Sequence, residues 1–188
     1  MSLIACKNCG KNVSDLAETC PHCGEKIKGD IKMYSETIYN LFIKVLSNKG
    51  WRFLENKEEG IITVPKVRID SSMKSVTTFI SVRDDDCFFL GKYDNFNIAS
   101  ENMDKVCELL MRINGRYLYP QLILDYKEQN VYCQHLWRYS GDFLDEEVIE
   151  SDFPSVGLHL KECGKAIMAV SLGLQSPEEA LKLIDDND

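Results

Sequence analysis

The segment that decides how the chain is organised reads CKNCG at residues 6–10 and CPHCG at residues 20–24. Each CxxC turn places two thiols on one side of a tight loop, and two such turns facing each other complete the tetrahedral four-sulfur shell of zinc. Gly10 and Gly24 close the two turns, where tolerance of a positive φ lets the backbone amides turn back toward the sulfurs. The spacing therefore predicts one structural Zn²⁺ per chain, held by Cys6, Cys9, Cys20 and Cys23.

Two other interpretations of these cysteines are a redox pair and a pair of disulfides. A redox CxxC normally follows a strand and opens a helix of a larger α/β unit, and Met1–Ala5 is too short to supply that scaffold. Disulfides are rare in reducing compartments. His22 lies inside the second pair as a competing ligand, but four thiolates already fill the shell. Because a closed shell has no open position for substrate, we expect no catalytic residue here.

The composition of the chain disfavours several classes of binding partner. Of its 188 residues 44% are hydrophobic, and the formal net charge is −8, which disfavours nucleic acid and anionic membranes. The longest apolar stretch, Ile167–Leu174, is interrupted by Ser171 and Gly173 and is far shorter than the roughly 18 residues of a membrane span. Residues 1–5 lead directly into a polar segment instead of the apolar run of a secretion signal, so we expect a cytoplasmic location.

The segment Cys6–Gly24 resembles the short bacterial zinc ribbons with the pattern CxxCG, a brief loop, and CPxCG. Residues 1–30 carry four basic and four acidic side chains and no Phe, Tyr or Trp, whereas a ribbon that binds nucleic acid usually presents a basic, aromatic face. Residues 25–30 are polar and contain glycine, which is typical of a hinge. We therefore expect a zinc ribbon at 1–28 that docks on protein or caps the fold, followed by a separate domain at 31–188.

Apolar periodicity predicts the secondary structure of the second domain. Helices are expected from Met33 to about 48, from Ser100 to 114, from Asp145 to about 174 with a bend or a restart at Pro154, and from Ser176 onward. Strands are expected at 51–55, 61–69, 75–83, 87–94, 119–126 and 131–139, with Pro65 marking a sheet edge or a bulge. The predicted class is α+β, with helices packed on one antiparallel sheet in the order α, strand meander, α, β-hairpin, α.

Leu109–Leu160 resembles YbjN-like proteins in its Ile113-Asn114 helix end, the strand ending Leu124-Asp125 and the acidic helix opening at residues 144–147. YbjN-like proteins are bacterial sensory-transduction-regulator domains that share the fold of type III secretion chaperones. The resemblance implies a noncatalytic α+β module that binds polypeptide partners, commonly as a homodimer. It assigns no individual residue to binding.

Motifs for catalysis are absent from the sequence: there is no phosphate loop, GxSxG, HExxH or dinucleotide fingerprint. Asp84–Asp86 lacks the spaced oxygens of a calcium loop and indicates a solvated turn. Cys133 and His135 on one strand, and His159 and Cys163 one helical turn apart, give a weak second metal-site hypothesis, against which buried thiols and core histidines are favoured. Cys87 and Cys107 are expected as small core residues. Trp51 and Trp137 are candidates for the core or for a partner surface, with the core favoured.

Two surface features are left to explain. Residues 140–188 hold twelve Asp and Glu against three Lys, which indicates a solvated face or, less favourably, a surface for a basic partner. One apolar stripe must be covered by the sheet or by a second copy of the chain, and it is the candidate dimer surface; it contains Leu160, Cys163, Ile167, Val170 and Leu174. The leading functional hypothesis is a non-enzymatic cytoplasmic adaptor or chaperone-like regulator that binds a protein partner or forms a homodimer. The alternatives are a zinc-ribbon transcriptional regulator that binds nucleic acid, and an enzyme or redox switch.

Overall fold

Two separate units make up the chain, Met1–Met33 and Tyr34–Asp188. The structure is a computed structural model that describes residues 3–14, 17–26, 34–69, 75–139 and 144–185. The predicted hinge at 25–30 falls mostly outside these residues, as does the predicted domain boundary between 28 and 31.

The smaller unit has little regular structure. Strand β1 (Leu3–Ala5) pairs antiparallel with β2 (Asn12–Ser14), and a single bridge joins Thr19 to Lys26. Its buried apolar cluster contains Cys6, Val13 and Cys20. A core of this size is too small to stabilise an independent unit, so a further source of folding free energy is required.

The larger unit contains one antiparallel sheet of six strands. The strands are β3 (Leu54–Asn56), β4 (Ile61–Arg68), β5 (Ser75–Val82), β6 (Asp86–Tyr93), β7 (Gln121–Asp125) and β8 (Asn130–Arg138). Their spatial order is β3-β4-β5-β6-β8-β7, so β8, the second strand of the last hairpin, pairs with β6 of the meander and β7 lies at the edge. This arrangement confirms the predicted α+β class with one antiparallel sheet.

Local capping residues fix the helix ends. The Ser35 hydroxyl accepts a hydrogen bond from Ile38 N at the start of the first helix, and Asp145 does the same for Val148 N. At the last helix the Ser176 backbone N–H donates to the Glu179 carboxylate at 2.9 Å, in the predicted capping box. The helices are α1 (Glu36–Asn48), α2 (Met103–Asn114), α3 (Glu146–Asp152), α4 (Ser155–Ser171) and α5 (Pro177–Asp185).

Two features of the helices follow from the sequence. Pro154 separates α3 from α4, as predicted, because a proline cannot donate the backbone hydrogen bond that would continue α3. Among the described residues, no helix combines the length and the apolar character needed to cross a membrane.

The helices cover one face of the sheet. Alternate residues of β5 and β6 are buried, and the residues between them are only partly covered. On the covered face, the rings of Phe42 and Phe89 lie 5.8 Å apart, and Tyr93 Oη donates to the Leu160 carbonyl at 2.6 Å. The hydrophobic core therefore lies between this face and the helices.

Pro65 marks a bulge, as predicted. The register between β4 and β5 shifts between Val64 and Val67, and Lys66 within the shift has a φ of 52°. Strand β3 pairs only with residues 61–63 of β4, so the second half of β4 is an edge where the missing N–H of Pro65 is tolerated.

The apolar stripe on α4 is covered within the unit. Leu160, Cys163, Ile167 and Val170 are fully buried, and α4 contacts the sheet as well as α2 and α5. Leu174 lies beyond the end of α4 and is 73% exposed. The suggestion that this stripe is a dimer surface is therefore wrong, because its side chains already form the core.

Gly91 allows α4 to approach the sheet closely. A Cβ at this position would lie 2.5 Å from Val156 Cγ1 and 3.1 Å from Leu160 Cδ1. We expect Gly91→Ala to lower the free energy of unfolding by about 1–3 kcal/mol, since added atoms force a packed core apart. Urea denaturation measures this, with Gly115→Ala as the control because its nearest atoms are 3.5 Å away. Equal stability of the two variants would contradict the close packing.

Candidate metal centre

The two CxxCG turns repeat the same backbone hydrogen bonds. Cys6 N–H donates to the Lys11 carbonyl at 2.9 Å, and Cys20 N–H donates to the Glu25 carbonyl at 2.6 Å. The N–H of the glycine that ends each turn donates a hydrogen bond to the carbonyl of the first cysteine of that turn, at 2.8 Å in both cases. The pattern repeated in the sequence thus becomes a repeated loop geometry.

Glycine is required at the end of each turn by its backbone conformation. Gly10 has a φ of 70° and Gly24 a φ of 77°, a region that residues with a Cβ rarely adopt. No heavy atom lies within 4 Å of where a Cβ would be at either position, so the requirement is conformational and not steric.

The four thiols converge on one point. The Sγ atoms of Cys6 and Cys23 are 3.7 Å apart, as are those of Cys9 and Cys20, and all four lie within 4.8 Å of one another. A tetrahedron with zinc–sulfur bonds of about 2.3 Å has edges of about 3.8 Å. The distances therefore fit a four-thiolate metal site, and all eight cysteines are free thiols, which disagrees with the disulfide alternative.

Electrostatics within the cluster also favour a cation. Hydrogen bonds from the backbone of Cys9 and Asn8 lower the pKa of Cys6 to about 7. At Cys23 a backbone hydrogen bond from Glu25 favours the thiolate, but desolvation and the neighbouring thiols raise its pKa to about 12. Opposed shifts are expected where acidic groups share a small volume, because they cannot all ionise without a compensating positive charge.

The ligand set is closed. Cys6 and Cys20 are buried, whereas Cys9 and Cys23 reach the surface. His22 is exposed and does not belong to the cluster. Four sulfur ligands leave no position for water or substrate, so the site suits a structural role.

Comparison with known proteins agrees with this geometry. Residues 2–27 match the family model of a zinc-ribbon domain. No curated protein matches the chain. The family match and the sulfur cluster together support a structural, cysteine-ligated zinc-binding ribbon within the smaller unit.

The second metal-site hypothesis is not supported. Cys163 Sγ lies 3.9 Å from His159 Nε2, but the His159 ring packs edge-on against Tyr117. His135 instead stacks on Tyr119, with ring centroids 5.7 Å apart. Within the described residues these groups form no cluster of three metal ligands. Cys133, His159 and Cys163 are buried, as favoured, whereas His135 is only half-buried.

The aspartate run lies at the turn between β5 and β6, with Asp84 and Asp85 in the turn and Asp86 as the first residue of β6. Arg83 pairs with Asp86, and the Arg83 N–H donates to the Asp86 carbonyl at 2.9 Å. Asp84 and Asp85 are exposed, which confirms the predicted solvated turn.

His159 is buried in the larger unit, and desolvation lowers its pKa although the Glu162 carboxylate acts in the opposite direction. The unfolded chain then binds a proton near pH 6.5 that the folded chain takes up only at lower pH, so stability falls as the pH drops below about 6.5. Urea denaturation between pH 7.5 and 5.5, followed by tryptophan fluorescence, measures this. We expect His159→Gln to reduce the pH dependence of the free energy of unfolding, and His22→Gln to leave it unchanged. If the free energy of unfolding changed equally with pH in His159→Gln and in the wild type, the assignment of this pH dependence to His159 would be contradicted.

An apolar patch that the sequence did not predict lies on the other face of the sheet. Phe79 pairs with Leu90 and Phe88 pairs with Leu136, so their side chains form adjacent cross-strand pairs. We call Phe79, Phe88, Leu90 and Leu136 the outer patch. The continuous apolar run at residues 87–90 was the available signal, because such runs are typical of strands covered on both faces.

Proposed function

We propose that the chain is a non-enzymatic cytoplasmic adaptor or chaperone-like regulator that binds a protein partner through the outer patch. In this proposal one Zn²⁺, held by Cys6, Cys9, Cys20 and Cys23, stabilises the ribbon. The outer patch is the observation that carries the proposal.

The outer patch differs from an ordinary solvent-facing sheet surface. Antiparallel sheets with one covered face usually present polar residues on the other. Here Phe79, Phe88 and Leu90 are only partly covered, and Leu136 is 39% exposed. Ile123, on neighbouring β7, is also 39% exposed and extends the apolar surface. Contiguous apolar surface of this kind commonly marks a protein interaction site.

The architecture of the larger unit supports the same class of function. Its elements follow in the order α1, the meander β3–β6, α2, the β7–β8 hairpin and the closing helices. This is the order predicted from the sequence for the domain that resembles YbjN-like proteins. That resemblance implies polypeptide binding without catalysis and allows a second copy of the chain as the partner.

Nucleic-acid binding has weaker support. The net charge of −8 opposes the approach of a phosphate backbone, and residues 1–30 contain no aromatic side chain for stacking on bases. Retardation of nucleic acid at low salt, lost as salt increases, would favour that alternative.

Site-specific photo-crosslinking in cells tests the proposal. A photoreactive residue at Leu136 reports on the outer patch, and the same residue at exposed Lys165 of α4 is the control. We expect protein adducts from position 136, reduced strongly by Phe88→Ser, and few from position 165. An adduct of twice the chain mass would identify the partner as a second copy. Equal labelling from both positions, or no protein adduct from position 136, would contradict the proposal.

A further inference from the structure

A cavity of about 260 Å³ opens between the sheet and the start of α4. Its apolar walls include Trp51, Val76, Phe153 and Leu158. Trp51 and Phe153 meet edge to face with ring centroids 5.4 Å apart, which makes one wall a rigid aromatic surface. The cavity belongs to the larger unit and is separate from the outer patch.

Two local features create this space. The bulge in β4 displaces the end of that strand, and Val67 beyond the bulge lines the cavity. On the helix side, Gly157 contributes no side chain, and a Cβ there would meet only Val76 Cγ2, at 3.9 Å. The space between α4 and the sheet therefore depends on Gly157, although the backbone conformation of α4 does not require glycine at this position.

The charged lining residues are both cationic. Arg68 and Lys161 line the cavity, are exposed, and form no ion pair with any described residue. Several other basic groups of this acidic chain are paired, as Lys49 is with Glu150 at 2.7 Å and Arg112 with Glu108 at 2.7 Å. Among the described residues, no Asp or Glu lines the cavity. An apolar cavity with unpaired positive charge is complementary to an anion that has an apolar body.

We propose that this cavity binds a small carboxylate with an aliphatic or aromatic body. The apolar part lies against Trp51 and Phe153, and the carboxylate interacts with Arg68 and Lys161. The size is suitable, since an apolar cavity of about 150 Å³ accepts benzene. The two cations orient such a ligand, because only its carboxylate end gains charge-assisted hydrogen bonds by lying beside Arg68 and Lys161.

Octanoate titration of the full chain tests the proposal. Trp51 is a wall of the cavity, so its fluorescence reports binding once the other tryptophan is removed by Trp137→Phe. We expect saturable binding of one octanoate per chain, confirmed by calorimetry, and at least about tenfold weaker binding of octanol and octylamine. Equal binding of octanoate and octanol would overturn the assigned charge recognition.

Variants separate the cavity from nonspecific binding. Gly157→Leu fills the cavity and should weaken octanoate binding more than about tenfold, and thermal melting checks that the variant folds. Should that variant not fold, Arg68→Glu combined with Lys161→Glu gives a second test, because reversed charge should abolish octanoate binding. Lys165→Gln, an exposed cation of α4 outside the cavity, should leave it unchanged. Wild-type affinity in a folded Gly157→Leu variant, or in the charge-reversed variant, would overturn the proposal.

Discussion

Cys20→Ser is expected to abolish stoichiometric zinc binding and to unfold the ribbon while the larger unit stays folded. Cys20 is buried and its sulfur lies 3.7 Å from that of Cys9, so its replacement removes one of the four sulfur ligands of the cluster. Binding of structural zinc to small domains contributes on the order of 10 kcal/mol, far more than the small apolar cluster of the ribbon supplies. The larger unit has its own core and does not depend on this contribution.

Elemental analysis should give one zinc per wild-type chain and none per Cys20→Ser chain. Nuclear magnetic resonance should show loss of the dispersed signals of residues 3–26, with signals of the larger unit retained. His22→Ala is the matched control, because His22 lies in the same turn but outside the sulfur cluster, and it should retain zinc. Zinc bound at full stoichiometry by Cys20→Ser, or collapse of both units, would contradict the assignment.

Phe89→Ala is expected to lower the free energy of unfolding by about 3–5 kcal/mol, whereas Phe88→Ala should lower it by about 1 kcal/mol or less. Phe89 is fully buried, and its ring lies about 6 Å from those of Phe42, Trp137 and Phe153. Phe88 is adjacent in sequence but points to the opposite face, where it is only partly covered. The difference arises because alternate residues of a strand face opposite sides of the sheet.

Thermal and urea denaturation of the two variants measures this difference. For a unit of this size, the loss in Phe89→Ala corresponds to a fall in melting temperature of roughly 6–20 °C. Phe88→Ala should instead reduce crosslinking from Leu136 while leaving the melting temperature nearly unchanged. Similar destabilisation by both substitutions would mean that both faces of β6 are covered, and would remove the basis for a binding surface.

Local signals were sufficient for much of the fold. The CxxCG spacing predicted the sulfur cluster because four ligands within two short turns can meet with few other constraints. Ser35, Asp145 and Ser176 cap helices through hydrogen bonds to residues three positions away, which neighbouring sequence specifies. Pro65 marked the bulge because a missing N–H limits where a strand can pair.

Other features depended on contacts between distant segments. The α4 stripe has the same sequence pattern whether a sheet or a second chain covers it, and only the packing of α4 on the sheet shows that it is internal. The strand order places Leu136 beside Phe88, which forms the outer patch.

The sequence alone determined the metal-ligating cysteines, the helix caps and the α+β class, because each depends on the chemistry of residues close together in the chain. The tertiary structure alone decided which apolar residues are covered, and it brought Trp51, Arg68 and Lys161 to one cavity. Burial depends on which surfaces meet after the chain folds, and many arrangements of helices on a sheet are compatible with the same local pattern.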